Sequence, residues 1–220
     1  MKPTLYLDIE TIPGPESGKD LIKVSAPAQY KKPESIQKWL DENTATAKDD
    51  IYRKQSFNGG YGQICSIAWA IDNGTIEYSS VSSRDGERQA IQIALGDISD
   101  NLGHATNPYL CGHYISGFDL KFIKHRCIVL GIQVPQWLKV NAKPWDESIR
   151  DTMVLWAGVK DRISLDELCT ILGIEGKGDV DGSMVYDMWL DGKFKEISEY
   201  CAADVEKVRK INQLFLKAGI

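Results

Sequence analysis

Asp8 and Glu10 stand two residues apart in the segment 4–10 (TLYLDIE), where Leu5, Leu7 and Ile9 alternate with Tyr6, Asp8 and Glu10. That alternation predicts a strand whose two carboxylates leave the same face. On their own the two acids also read as a solvated strand edge. Ile12-Pro13-Gly14-Pro15 ends the strand, so the acids stand at its C-terminal end, where open α/β sheets place their ligands. A second signal lies near the other end of the chain. At about 100° per residue, Ile197, Cys201, Val208, Ile211 and Phe215 form one apolar stripe of a helix predicted over 194–216, and Asp204 falls inside it. A carboxylate facing a core must be paired, with a buried Arg for example, or must bind a metal. Tyr200 precedes Asp204 by one turn, which brings its hydroxyl near that carboxylate.

Two more acids are set among apolar neighbours. Asp119 follows a strand at 109–114 and opens a helix at 119–130, a position that an ordinary N-cap aspartate also takes. Asp151 lies in Arg150-Asp151-Thr152. Carboxylates gathered without histidine or cysteine suit hard divalent cations, Mg²⁺ or Mn²⁺. Two such ions about 3.5–4 Å apart stabilise the attacking and leaving oxygens of phosphodiester cleavage. Without metal, Asp204 is expected to be poorly solvated, so Asp204→Asn should melt at or above the parent.

The elements that must position these residues follow from periodicity and turn chemistry. Strands are expected at 64–71 and 75–81, joined by an Asp72-Asn73-Gly74 hairpin turn, and a short strand or helix start at 149–156. Helices are expected at 87–102, at 164–172 behind a Ser164-x-x-Glu167 capping box, at 183–190 and at 194–216. Strands followed by alternating strands and helices imply an α/β mixed sheet. The polar, proline-punctuated stretch at about 15–62 reads as an insertion or flap with one or two short helices near 35–40 and 44–53. The 220 residues, 43% hydrophobic and 26% charged, suffice for one domain with a core. No apolar run is long enough to span a bilayer, and Asp8 and Glu10 interrupt what would be the apolar part of a signal peptide. The net charge of −5 argues against coating nucleic acid by bulk charge. Five cysteines without C-x-x-C spacing read as buried thiols of a cytoplasmic protein, and the three histidines are not at zinc-ligand spacing from them.

Taken together the motifs resemble the DEDD 3′–5′ exonucleases of the ribonuclease H-like superfamily. The likeness is to the tyrosine subclass (DEDDy) related to the proofreading exonuclease of family B DNA polymerases. Asp8-Ile9-Glu10-Thr11 looks like the first motif, Gly117-Phe118-Asp119-Leu120 like the second, and Tyr200-x-x-x-Asp204 like the third. The segments 164–168, 176–179 and 181–183 are similar to further parts of those enzymes, and no histidine after His125 could serve the histidine subclass. The resemblance implies a mixed five-stranded sheet flanked by helices, forming a single exonuclease domain over 1–220. It implies that Asp8, Glu10, Asp119 and Asp204 hold two Mg²⁺ or Mn²⁺ ions and that Tyr200 helps position the attacking water. Single-stranded DNA would then be hydrolysed from a free 3′ end to nucleoside 5′-monophosphates, with Thr11 and Phe118 touching the terminal nucleotide and Asp151 supporting the fold. Relatives often carry an Asn a few residues before the Phe-Asp pair, where this chain has Tyr114, Ile115 and Ser116. No polymerase segment follows in the sequence, so a separate polymerase or replication protein is the expected partner.

A stretch from 120 to 145 has no acid and carries Lys121, Lys124, Arg126, Lys139 and Lys143 with Trp137 and Trp145. It would let phosphates and bases approach the acids, or it is a solvated helix face with core tryptophans. Lys177, in a glycine-flanked loop, could reach a substrate phosphate. Other readings are an exoribonuclease, a haloacid-dehalogenase-type phosphatase with Asp8 as nucleophile, and an inactive nucleic-acid-binding module.

Overall fold

The computed structural model describes residues 2–176 and 181–220. Five strands form one sheet in the order β3-β2-β1-β4-β5. They are β1 (Thr4–Ile12), β2 (Gln63–Ile71), β3 (Glu77–Ser80), β4 (Tyr109–Gly112) and β5 (Ile149–Asp151). Among the described residues seven α-helices accompany them: α1 (Pro33–Arg53), α2 (Glu87–Leu102), α3 (Asp119–Leu130), α4 (Thr152–Ala157), α5 (Leu165–Leu172), α6 (Val185–Leu190) and α7 (Phe194–Lys217). The sheet is mixed: β1 runs antiparallel to β2 and parallel to β4. The expected α/β sheet flanked by helices is what the chain forms.

Strand alternation sorts β1 into two faces. Leu5, Leu7 and Ile9 join the large core beneath α2 and α3, with Ile91, Ile98 and Ile123. Tyr6 points the other way, into a second cluster with Cys201, Val205 and Val208 of α7. Asp8 and Glu10 share that parity and so leave toward α7. The β1–β4 ladder stops at Tyr6 and Cys111. Beyond it the C-terminal end of β1 is paired on the β2 side alone, and its other edge has no strand partner, at the end of the sheet where α/β proteins bind ligands. Between Glu10 and Thr11 the β2 register slips: Glu10 faces Ser66 and Thr11 faces Ile64, so Cys65 is the extra residue of a bulge. Bulges re-aim side chains beside functional sites.

Several boundaries differ from expectation. The insertion carries one 21-residue helix rather than one or two short ones. No Gly or Pro interrupts it after its first turn, and Asn43 and Thr44 spend their side-chain donors on the Trp39 and Leu40 carbonyls instead of breaking it. The segment 149–156 is both things at once, because Asp151 ends β5 and its side chain caps α4. Trp137 is core, 3% exposed, with its indole N–H donating to Ser99 Oγ. Arg126 is also buried; its guanidinium grips both Glu87 carboxylate oxygens at 2.7 and 2.8 Å. Neither residue can meet a polynucleotide, while Trp145 is exposed.

Candidate active site

Three elements converge at the C-terminal end of β1. From β1 come Asp8 and Glu10, and from α7 comes Asp204. One ligand oxygen from each lies within 4.8 Å of the others. Close packing of α7 on the strand makes this possible: the Cys201 thiol donates to both the backbone carbonyl and the carboxylate of Asp8, at 3.4 Å each. Asp119 arrives from the opposite side. Its Oδ1 accepts the Ile9 N–H at 3.2 Å, filling the edge of β1 that β4 has left. The sequence could not show this juxtaposition.

The loop that delivers Asp119 is held by Asp151. That buried carboxylate accepts from the backbone N–H groups of Tyr114 and Ser116 and from the Ser116 hydroxyl, at 2.7–3.1 Å. Tyr114 consequently sits at φ +60, a conformation that tyrosine adopts only when its surroundings enforce it. Its ring covers Gly117, where a Cβ would fall 2.3 Å from ring carbons. Glycine before Phe118-Asp119 is therefore a packing requirement. Ile115 is fully buried, so none of the three residues at the expected Asn region offers an unengaged amide-like side chain to the site.

The electrostatics are those of crowded acids. Burial, first, and then the charges of Asp119, Glu10 and Asp204 push the Asp8 carboxyl well above the usual carboxylate range, while the Cys201 hydrogen bond opposes the shift. Burial lifts Asp119 to about 8 against the pull of the Ile9 N–H bond. Tyr200 donates its hydroxyl to Asp204, and burial followed by the Asp204, Glu10 and Asp8 charges holds that hydroxyl firmly protonated. The Cys201 thiol is likewise pushed up by burial and by Asp8 and Glu10.

One partner escaped the sequence reading. Lys207, one turn after Asp204, lies with its Nζ 2.8 Å from Asp204 Oδ1, and both side chains are 9% exposed. Asp204 is therefore neither poorly compensated nor paired with an arginine, and the expected metal-free gain from Asp204→Asn loses its basis. The i, i+3 spacing of Asp204 and Lys207 was the readable signal.

The other candidate residues stand nearby. Thr11 is half-buried, its hydroxyl donating to the Ser56 carbonyl of the insertion at 2.7 Å. Phe118 is half-buried with its ring 5.4 Å from that of Phe122. Lys177 lies outside the described residues.

A family model described as a predicted 3′–5′ exonuclease related to the exonuclease domain of PolB matches residues 59–209. The chain belongs to this family. As a PolB-related 3′–5′ exonuclease it carries Asp119, Tyr200 and Asp204 within the matched region, while Asp8 and Glu10 precede it. A solved structure with the same fold is the family B DNA polymerase of the hyperthermophilic archaeon Pyrobaculum calidifontis, at TM-score 0.61 and 15% identity. The alignment covers 98% of this chain and 25% of the polymerase, so the exonuclease spans about a quarter of that protein's length. No curated protein matches the chain. The exonuclease fold is thus the ribonuclease H-like mixed sheet. The dehalogenase-type phosphatase reading falls with the family assignment, and with a β1 that pairs antiparallel with β2. Among the described residues no helix is long and apolar enough to cross a membrane.

Proposed function

We propose that this exonuclease removes nucleotides stepwise from the 3′ end of single-stranded DNA and releases nucleoside 5′-monophosphates. The observation that carries this reading is the convergence of Asp8, Glu10 and Asp204 within 4.8 Å, with Asp119 close enough to raise the Asp8 pKa. The donor set fits hard divalent cations: it offers carboxylate oxygens, and the adjacent Cys201 sulfur is kept protonated. Asp8, Glu10, Asp119 and Asp204 would hold two Mg²⁺ or Mn²⁺ ions, which supply positive charge to the attacking and leaving oxygens of an in-line displacement.

The chain's own groups do the rest. Tyr200 stays a neutral phenol, so it orients the attacking water through its hydroxyl and does not act as a base. Thr11 has committed its proton to Ser56 and offers the terminal nucleotide an acceptor. The partly accessible Phe118 ring offers it an apolar surface. Lys177 is assigned to a substrate phosphate. Residues 1–220 act as a single exonuclease domain with an insertion at about 15–62, working beside a separate polymerase or replication protein. The preference for DNA rests on the relationship to a DNA polymerase.

The test uses purified protein with Mn²⁺ and matched 5′-labelled DNA and RNA single strands. A ladder shortening from the 3′ end of the DNA, with 5′-monophosphate products, is expected. Faster loss of RNA would make the enzyme an exoribonuclease, and full activity in excess EDTA would overturn the metal assignment.

A further inference from the structure

Two aromatic rings on the insertion are displayed to solvent beside this site. Phe57 is 73% exposed and Tyr61 66%. They sit on a loop whose backbone is tightly held. Asn58 closes it, its carbonyl accepting from Tyr61 N–H at 2.9 Å and Gly62 N–H at 2.8 Å, and its Oδ1 accepting from Gly60 N–H at 2.9 Å. Arg126, locked by Glu87, donates to the Gly59 carbonyl at 3.1 Å. Gly59 lies so close to α3 that a Cβ would fall 2.9 Å from both the Phe122 carbonyl and His125 Cβ. A loop fixed this firmly, yet presenting large apolar rings outward, resembles a preorganised binding element more than a hydrophobic contact of the fold.

Its surroundings identify the chemistry of what it would bind. Phe57 lines a crevice of about 130 Å³ with Gly117, Phe118, Lys121 and His125, at the start of the helix that carries Asp119. On the loop's other flank Tyr61 lines a larger groove with Leu21, Ile51 and Lys23. The loop is also continuous with the acid-bearing strand, because Ser56 accepts the Thr11 hydroxyl. An exposed aromatic ring with a lysine on each flank of the loop, Phe57 with Lys121 and Tyr61 with Lys23, beside the segment that carries Asp119, matches the stacked bases and charged backbone of a single polynucleotide strand crossing the loop.

We propose that Phe57 and Tyr61, with Lys121 and His125, form a seat for the single strand that lies 5′ of the nucleotide being removed. The rings stack its bases and Lys121 and His125 contact its backbone phosphates. This rests on the exonuclease reading of the neighbouring acids. Burial and the adjacent Lys124 and Lys121 lower the His125 pKa, so at neutral pH it serves as a hydrogen-bond donor and Lys121 supplies the charge. Stacking reads no base, so the seat tolerates any sequence and accepts DNA or RNA.

Binding without turnover tests the seat separately from the chemistry. Fluorescence anisotropy in EDTA would follow 5′-labelled oligo(dT) and oligo(U) of about twelve nucleotides, long enough to cover the ~4–16 nucleotide sites typical of such grooves. Phe57→Ala and Tyr61→Ala should each weaken both by roughly thirtyfold, the middle of the range for losing one stacked base. Lys121→Gln should weaken binding several-fold and reduce the salt slope by about 0.7. Tyr78→Ala, which removes an exposed ring from β3, is the control. Melting curves would establish that each variant is folded. Parent affinity too weak to measure, or affinity within about twofold of the parent for the Phe57→Ala/Tyr61→Ala double variant, would overturn the seat. Binding that behaves as expected in a protein that cuts neither strand with Mn²⁺ would instead overturn the exonuclease reading.

Discussion

Replacing Lys207 by methionine removes the cation that faces the acids from α7 while keeping most of the side-chain volume. Lys207 and Asp204 are 2.8 Å apart with both side chains 9% exposed, so the buried-pair case applies. Removing one partner of such a pair costs about 3–5 kcal/mol, because the other charge is left buried. At this chain length about 2–4 °C of melting temperature corresponds to each kcal/mol, which gives about 6–20 °C. That loss is expected in EDTA, where no ion takes the place of the missing cation. Saturating Mn²⁺ should then raise the variant's melting temperature more than the parent's, since in the parent the ion shares Asp204 with Lys207. The assay is four melting curves, two proteins with and without metal. A variant within about 2 °C of the parent in EDTA, or equal Mn²⁺ shifts in the two proteins, would refute the idea that Lys207 balances the metal-free site. By the same reasoning Asp204→Asn should melt below the parent in EDTA, since it strands Lys207.

Further outcomes follow from the same geometry. Tyr200→Phe should lower kcat on single-stranded DNA by about 10–10³-fold with Mn²⁺ affinity unchanged, and Asp204→Ala should lose more; parent-like kcat in Tyr200→Phe would remove the hydroxyl from the mechanism. The metal-free protein should lose stability as pH rises from about 4 to about 8. Asp119 ionises near 3.8 when unfolded and near 8 when folded, so in that window the folded chain keeps a proton that the unfolded chain has released. Melting temperature against pH in EDTA should therefore slope downward, and less steeply in Asp119→Asn, where the raised Asp8 carboxyl remains; an equal slope in both proteins contradicts the assignment. Blunt duplex ends should be cut more slowly than single strands and mismatched 3′ ends faster than paired ones, because each base-pair step opened costs about 1.4 kcal/mol; equal rates on all three would count against single-strand entry.

What the sequence made legible was local in character. Alternation in 4–10 predicts that Asp8 and Glu10 share a face, and helical spacing predicts that Tyr200 and Asp204 do, and both pairs lie as expected. The meeting of Asp119 with β1 spans 110 residues of chain. Nothing in either segment encodes that distance except the termination of the β1–β4 ladder, which is a property of the sheet. The basic stretch after Asp119 was misleading for the same reason: Arg126 looks like a phosphate ligand until Glu87, 39 residues away, takes it. Trp137 is similar, since its burial depends on α2. The length of α1 was hidden in a polar stretch of mixed charge, where Asn43 and Thr44 are poor helix formers that bond locally to the preceding turn. Lys207 was missed although its spacing was visible, because attention to apolar neighbours on the stripe hid a charged one.

Asp8, Glu10, Asp119 and Asp204 form the proposed divalent-metal centre. Anomalous diffraction at the manganese edge, from crystals grown with Mn²⁺ and a nucleoside 5′-monophosphate, tests it most directly. Two peaks are predicted within bonding distance of Asp8, Glu10, Asp119 and Asp204, about 3.5–4 Å apart. Saturating Mn²⁺ that leaves these carboxylates without a peak, or Mn²⁺ bound elsewhere while Lys207 still holds Asp204, would contradict it.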